Sequence, residues 1–168
     1  MKKQRRFILK QLILLGTAGL LNSCGFSIRG SNVEFPFKSV YVEGNQGVAQ
    51  EVLFLLSGQR SLSVNPKIPE AQVRVVILSQ AVERSIVAFN ASGRPREIIL
   101  RMRVAFRALD YLGIELIPTT ELFQTRDLSI SEAEILANPV SEGALNEDMQ
   151  KDIAWQIVRR LRSVNLPN

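Results

Sequence analysis

Residues 72–127 contain three long segments rich in β-branched residues, and this feature constrains the fold more than any other in the chain. The first segment carries no helix signals, and valine and isoleucine favour strands. The short sequences between the segments, residues 90–93 (NASG) and 110–113 (DYLG), have the composition of turns. The pattern therefore predicts a meander of three long strands, over residues 72–89, 97–109 and 114–127.

Two details of the meander indicate irregular pairing. The first segment is too long for an ordinary strand without a bulge. In the third segment, Pro118 cannot donate a ladder hydrogen bond, which predicts an edge position or a bulge near the start of that strand.

Upstream of the meander, residues 38–43 and 61–64 are predicted as short strands, and the first of these alternates apolar and polar residues. Between them, apolar residues recur at helical spacing and Gly58 follows as a C′ residue. The apolar residues of this predicted helix are Val48, Val52, Leu55 and Leu56.

A second helix is predicted over residues 145–161, where an apolar residue recurs at every fourth position. Asn146 is a suitable N-cap, and Glu147 and Asp148 would lie in the first turn, where the helix dipole favours acids. Residues 128–143 contain polar turn formers and an Asn-Pro pair, and are predicted to be mostly loop.

Together these elements predict an α+β fold. Two amphipathic helices would cover one face of a mostly antiparallel sheet of about four strands, giving a two-layer sandwich. A chain of this length, with many valine, isoleucine and leucine residues, can bury enough surface to stabilise such a domain.

Residues 1–23 have the features of an export leader. Five basic groups lie within residues 2–10, and an apolar run too short to span a bilayer follows. The leader ends in Leu21-Asn22-Ser23-Cys24, which resembles the bacterial lipobox. This predicts a cleaved signal peptide over residues 1–23, a lipidated tether over 24–37 and a single domain over 38–168.

Cys24 is the only cysteine and is predicted to be the lipid attachment site. It would carry S-diacylglycerol and N-acyl groups, and three acyl chains exceed what stable membrane anchoring needs. The alternative is a buried free cysteine. Gly25 indicates the outer membrane, because an Asp in that slot favours inner-membrane retention. Arg5-Arg6 leaves twin-arginine export open beside the general route.

Removal of the leader changes the electrostatic interpretation. The chain has 21 basic and 16 acidic side chains, and five basic and no acidic ones belong to the leader, which leaves 16 of each. The high isoelectric point therefore comes from the leader. No nucleic-acid partner is predicted for the mature chain.

The sequence offers little for catalysis. It contains no histidine, which excludes Ser-His-Asp and Cys-His chemistry and the usual zinc sites. Its glycines have no phosphate-loop context. Paired acids such as Glu132 and Glu134 could support hydrolysis, but a solvated role is simpler. We therefore predict a protein that is not an enzyme and has no metal or other cofactor.

Arginines form the most distinctive polar pattern. Arg94 and Arg96 follow the first predicted turn, and Arg101, Arg103 and Arg107 share one strand face opposite an apolar face. Guanidinium groups bind phosphate bidentately. For a lipid-anchored protein of the cell envelope, the polyphosphorylated ligand within reach is lipopolysaccharide and not DNA. In the alternative interpretation, these arginines pair with acids of neighbouring strands, such as Glu83, Glu121 or Asp127.

Several motifs resemble the lipopolysaccharide-assembly lipoprotein E (LptE) family. The mature start Cys24-Gly25-Phe26-Ser27-Ile28-Arg29-Gly30 resembles the family opening, and residues 89–93 resemble its hairpin tip. An acidic stretch at residues 146–149 and the ending at residues 157–161 complete the likeness. One departure is Asn90, where family members can carry a basic residue.

The resemblance implies a non-enzymatic outer-membrane lipoprotein. It would plug the lumen of the lipopolysaccharide-translocating β-barrel, assist assembly of that barrel, and contact lipopolysaccharide, with Arg94, Arg96, Arg101 and Arg103 as candidate contacts. The long strands suit insertion into a polar lumen. The alternatives are a lipoprotein adaptor of another envelope transport complex and, less favoured, a periplasmic hydrolase.

Overall fold

The computed structural model describes residues 34–44, 47–130 and 138–166. All of these belong to one unit of the chain, Asn32–Asn168. The predicted signal peptide, Cys24, Gly25 and the family motif at residues 24–30 lie outside the described residues, as do Glu132 and Glu134.

Along the described chain, strands and helices alternate before the long meander. The strands are β1 (Ser39–Glu43), β2 (Ser63–Val64), β3 (Val73–Phe89), β4 (Pro95–Asp110) and β5 (Glu115–Ser129). The helices are α1 (Val48–Ser57), a short 3₁₀ helix (Ile68–Glu70) and α2 (Asn138–Leu161).

The described strands form one sheet in the order β2-β1-β3-β4-β5. The three long strands pair antiparallel, whereas β1 runs parallel to both β2 and β3. The prediction of an α+β fold with a mostly antiparallel sheet is confirmed. The fifth strand is the two-residue β2, which is held at the edge by β1 alone.

Both predicted irregularities are present in the meander. The register between β3 and β4 shifts near Leu78 and again near Val87, so β3 carries bulges that let it run over seventeen residues. Pro118 lies in β5, which is an edge strand, and the register with β4 shifts between the pairs Phe106–Thr120 and Ala108–Ile117. Its missing N–H therefore costs no ladder hydrogen bond.

The core lies between one sheet face and the two helices. Strand β4 alternates over residues 98–108, with Leu100, Met102, Val104 and Phe106 fully buried. Helix α2 packs against β4 and β5 and presents Met149, Ile153, Ile157 and Leu161 to them, while α1 contributes Val48, Val52 and Leu56. Full burial of each such side chain stabilises the fold by roughly 1.5–3 kcal/mol, which replaces any need for disulfides.

Helix α2 begins earlier than predicted. It starts at Asn138 instead of near Leu145, so residues 138–143 are helical and not loop. Pro139 is compatible with this because the first helical turn needs no N–H donor. Asn146 is consequently inside the helix and not its N-cap, and its Oδ1 is buried without a described hydrogen-bond partner.

Helix α1 ends as predicted at Gly58, but with a different backbone. Gly58 is the C-cap with φ −69°, so the expected left-handed C′ glycine is absent there. At the other end of α1, the backbone N–H of Val48 donates to the Gln80 side chain of β3 at 2.9 Å. This contact supplies one of the acceptors that a helix N-terminus lacks.

Two ends of the sheet can be distinguished. At the proximal end, Val40 of β1, Val73 of β3 and Asp110 of β4 are side by side, and the β4–β5 turn (residues 110–114) projects from this end. At the distal end, β3 and β4 are joined by the turn at residues 90–94. Beyond Val76, no described residue pairs with the outer edge of β3.

Candidate ligand-binding surface on the long hairpin

The arginines of β4 lie on the sheet face that the helices leave uncovered. Arg101 and Arg103 are exposed and Arg107 is half-buried, while the alternate residues point into the core. This division agrees with the prediction from the two-residue period of a strand. Because Arg101 and Arg103 are two residues apart, their guanidinium groups can act on the same ligand.

Neighbouring acids already pair with part of this face. Arg103 lies 3.4 Å from Glu83 on β3, and Arg107 lies 3.9 Å from Glu115 on β5. The Arg103 pair is solvent-exposed and the Arg107 pair is partly exposed, so each stabilises the fold by roughly 0–1 kcal/mol and an anionic ligand can compete for it. Among the described residues, Arg101 has no ion pair, and neither Glu121 nor Asp127 pairs with an arginine.

The distal turn is built by the side chain of Asn90. Its Oδ1 accepts hydrogen bonds from the backbone N–H groups of Ser92 at 3.0 Å and Arg94 at 2.9 Å. The backbone N–H of Asn90 donates to the carbonyl of Arg94 at 2.8 Å, which closes the loop. The asparagine that departs from the family pattern is therefore structural, and basic groups lie beside it.

Arg94 and Arg96 are exposed at this tip, next to the exposed ring of Phe89. Within residues 34–44, 47–130 and 138–166, neither side chain has an ion pair. Arg96 is the extra residue at a register shift between the pairs Ala88–Glu97 and Phe89–Pro95, so strand alternation does not fix its face. Arg101 and Arg103 lie further along β4, on the face opposite the core. The four candidate arginines therefore form two groups, one at the tip and one in the middle of β4.

An arginine outside the predicted set has the strongest contacts. Arg126 of β5 donates to Asp148 of α2 at 2.8 Å and also to Asp152 one turn further along. The hydrogen bond to Asp148, and then that to Asp152, raise the pKa of the Arg126 guanidinium. Arg84 of β3 similarly donates to Glu142 of α2 at 3.2 Å.

These contacts attach α2 to the sheet and correct the predicted role of Asp148. Because the helix begins at Asn138, Asp148 lies in its middle and pairs with Arg126 instead of interacting with the helix dipole. The signal in the sequence was the spacing of Asp148 and Asp152, which puts both carboxylates on one helix face. Their partner could not be assigned without the register of β5.

The described residues contain no cluster of three or more potential metal ligands. In the same part of the chain, neither helix combines the length and apolar character that a membrane crossing requires.

Fold and surface together define a class, namely a small α+β domain with an elongated, basic hairpin. Several solved structures share this fold, among them three lipoproteins. A lipoprotein B from Nitrosomonas europaea is 33% identical, with a TM-score of 0.69 over 83% of this chain and 91% of its own.

The two others show the fold alone because their identities are low. Rare lipoprotein B from Shewanella oneidensis is 15% identical, with a TM-score of 0.64 over 75% of this chain and 95% of its own. A minor lipoprotein from Acinetobacter baumannii is 17% identical, with a TM-score of 0.62 over 77% of this chain and 94% of its own. Comparison with curated proteins gave no significant match.

The family model LptE, described as lipopolysaccharide-assembly, matches residues 37–161. The chain therefore belongs to the LptE family, as its motifs indicated.

Proposed function

We propose that this protein is a lipid-anchored, non-enzymatic component of the outer membrane that plugs the lipopolysaccharide-translocating β-barrel and assists its assembly. The match of the family model to residues 37–161 carries this proposal, because it spans nearly the whole described domain. Cys24, after loss of residues 1–23, would hold the acyl chains, including palmitate. The domain would then lie on the periplasmic side and within the barrel lumen.

The open edge of β3 supports a protein partner. Beyond Val76 this edge offers backbone groups that no described strand pairs, and it carries exposed apolar side chains at Leu78, Val82, Ile86 and Val87. Long apolar edges of this kind are sites where another chain pairs or packs. The polar and charged outer face of β4 is in turn compatible with a polar barrel lumen.

Affinity purification from detergent-solubilised outer membrane tests the partner. We expect recovery of a large β-barrel protein in a one-to-one ratio. Recovery without such a barrel, or with components of a different transport complex, would favour the adaptor alternative. The double variant Val82→Lys, Ile86→Lys should lower recovery of the barrel, whereas Phe54→Lys on the exposed face of α1 should not.

Direct contact with lipopolysaccharide is proposed mainly at the distal tip. Arg94 and Arg96 are exposed and have no ion pair among the described residues, so their forks can take phosphate without breaking an existing contact. Arg101 and Arg103 form a second site in the middle of β4, where Glu83 competes for Arg103.

The variant Arg94→Glu, Arg96→Glu should weaken binding of purified lipopolysaccharide and leave barrel recovery unchanged. Arg60→Glu, Arg159→Glu is the matched control, because it changes the charge equally at exposed positions away from the tip. Equal binding by the two double variants would remove the tip from the proposal. Lipid attachment is tested separately by palmitate labelling, which Cys24→Ala should abolish.

A further inference from the structure

The proximal turn carries exposed apolar side chains. Tyr111 is 70% exposed, Leu112 67% and Ile114 54%, and only Gly113 interrupts this run of three apolar residues. Isolated exposed apolar residues are common, but three in one hairpin tip form a contiguous apolar projection.

Hydrogen bonds hold the backbone of this turn in a defined conformation. Asp110 is buried, and its Oδ1 accepts hydrogen bonds from the N–H groups of Leu112 at 2.8 Å and Ile114 at 2.7 Å. The N–H of Asp110 donates to the carbonyl of Ile114 at 2.8 Å. A projection fixed in this way loses little conformational freedom when it is buried against another surface.

The apolar surface continues beside the turn. An open groove of about 560 Å³ adjoins Ile114; its lining includes the apolar Leu116, Val164 and Leu166 and the oppositely charged Glu115 and Arg160. The 3₁₀ helix also lies at this end, because the Ser39 hydroxyl at the start of β1 donates to the carbonyl of Glu70 at 3.0 Å. Its Ile68 is an exposed apolar residue.

The chain enters the domain at the same end. Residues 34–38 lead directly into β1, whose first residues are level with Val73 and Asp110. Phe35 packs against Phe37 with ring centroids 5.2 Å apart, and the Arg162 guanidinium lies 5.9 Å from the Phe35 centroid. The segment from Cys24 to Glu34 can therefore span at most roughly 35 Å from Cys24 to the proximal end.

From this placement we infer that the proximal turn is a membrane-contact site, at which Tyr111, Leu112 and Ile114 enter a phospholipid bilayer surface. The inference rests on the proposed lipid attachment at Cys24, because the short tether keeps this end near the bilayer. The basic side chains Lys38, Lys67, Arg160 and Arg162 at the same end can contact lipid phosphates. The acids Glu34, Glu70 and Glu115 are also there, so the inference rests on the apolar side chains and not on a net charge.

A depth measurement on the lipidated protein tests this inference. Acylation blocks Cys24, so Leu112→Cys provides one labelling site for a bimane probe, and Ser92→Cys provides the equivalent site on the distal turn. In vesicles of three parts phosphatidylethanolamine to one part phosphatidylglycerol, brominated acyl chains should quench the probe at position 112 and not at position 92. Aqueous iodide should show the reverse.

Equal iodide quenching at both positions would overturn the inference. A blue shift of the probe at position 112 in protein without vesicles would also overturn it, because the turn would then contact a second copy. If the probe labels two sites, Cys24 is not acylated, and the proposed anchor fails independently of the turn.

A reciprocal exchange of the two turns provides the matched control. Tyr111→Ala, Leu112→Ser copies the distal turn, and Ala91→Tyr, Ser92→Leu copies the proximal turn. In a Cys24→Ala background, the first exchange should lower partition into the same vesicles at least about tenfold, because two apolar side chains are removed. The second should raise it. Equal partition of the unexchanged chain and the first variant would overturn the inference.

Discussion

The turn at residues 90–94 and the turn at residues 110–114 have the same backbone hydrogen bonds but different side chains. In each, the first residue donates to the carbonyl four positions later, and its side-chain oxygen accepts from the second and fourth following N–H groups. Gly93 and Gly113 have φ values of +77° and +85°. Both are three-residue hairpin loops, and in each the third loop residue is a glycine in the left-handed conformation.

The distal loop carries Ala91 and Ser92 with arginines beside it, whereas the proximal loop carries Tyr111 and Leu112. Since the backbone is the same, the requirements of turn formation cannot explain the difference. We attribute it to surroundings, with a phosphate-bearing ligand proposed at the distal end and the bilayer at the proximal end.

The largest difference should appear between two phenylalanines of the long hairpin, one in the core and one at the distal end. Phe106 is fully buried under the helices, whereas Phe89 at the distal end is 60% exposed. Phe106→Ala should lower the free energy of unfolding by about 3–5 kcal/mol, because it removes buried area and leaves a cavity. Phe89→Ala should change it by less than about 0.5 kcal/mol. Urea unfolding of both variants measures this, and similar losses would mean that the distal end is packed as well as the core.

The next effect concerns the contacts that attach α2 to the sheet. Arg126→Ala removes hydrogen bonds to Asp148 and Asp152, and should lower the free energy of unfolding by about 1–2 kcal/mol. Arg103→Ala breaks only an exposed pair and should cost less than about 1 kcal/mol. The unfolding midpoints in urea give the comparison. If Arg103→Ala cost as much as Arg126→Ala, the outer face would be under structural constraint and less available to a ligand.

The glycines test whether the two turns are equivalent. No described atom lies within 4 Å of the position that a Cβ would occupy at Gly93 or Gly113, so only the positive φ opposes a side chain there. Gly93→Ala and Gly113→Ala should therefore each lower the free energy of unfolding by about 1 kcal/mol, and the two losses should be similar. Thermal unfolding at constant pH measures both. A much larger loss at one glycine would show that the turns differ in more than their side chains.

The smallest effect is expected from exchange of the capping side chains. Asp110→Asn keeps the Oδ1 acceptor that Asn90 uses in the distal turn, and it removes a buried carboxylate whose Oδ2 has no described partner. Loss of the charge weakens the hydrogen bonds to Oδ1, whereas loss of the unpartnered carboxylate oxygen removes the cost of burying it. The two effects oppose each other, so the free energy of unfolding should shift by less than about 0.5 kcal/mol. Asp110→Ala should cost about 1–2 kcal/mol because it loses both hydrogen bonds. Equal losses in urea titrations of the two variants would show that the charge itself, and not the acceptor, holds the turn.

The strands of the sheet followed from the sequence because their signals are local. β-branched alternation placed β3, β4 and β5 to within a few residues, and the turn residues Asn90 and Asp110 lie where the hairpins close. Errors occurred where a local signal had two uses. Asn138-Pro139 was interpreted as a break, but proline is equally suited to a first helical turn.

The candidate ligand surface was predicted residue by residue but not as an arrangement. Alternation along β4 placed Arg101, Arg103 and Arg107 on one face, whereas Arg96 lies at a register shift that only the pairing with β3 reveals. Arg126 differs, because its pairing with α2 depends on the distance between a strand and a helix that are separated along the chain.

The sequence by itself determined the class of fold, the position of both turns and the exposed row of arginines, because strand periodicity and turn chemistry act over a few residues. Tertiary structure decided that β1 runs parallel beside β3, that Arg126 attaches α2, and that Tyr111 and Leu112 project from the end where the chain enters. These features depend on which elements pack together, and packing is set by the summed burial of distant residues.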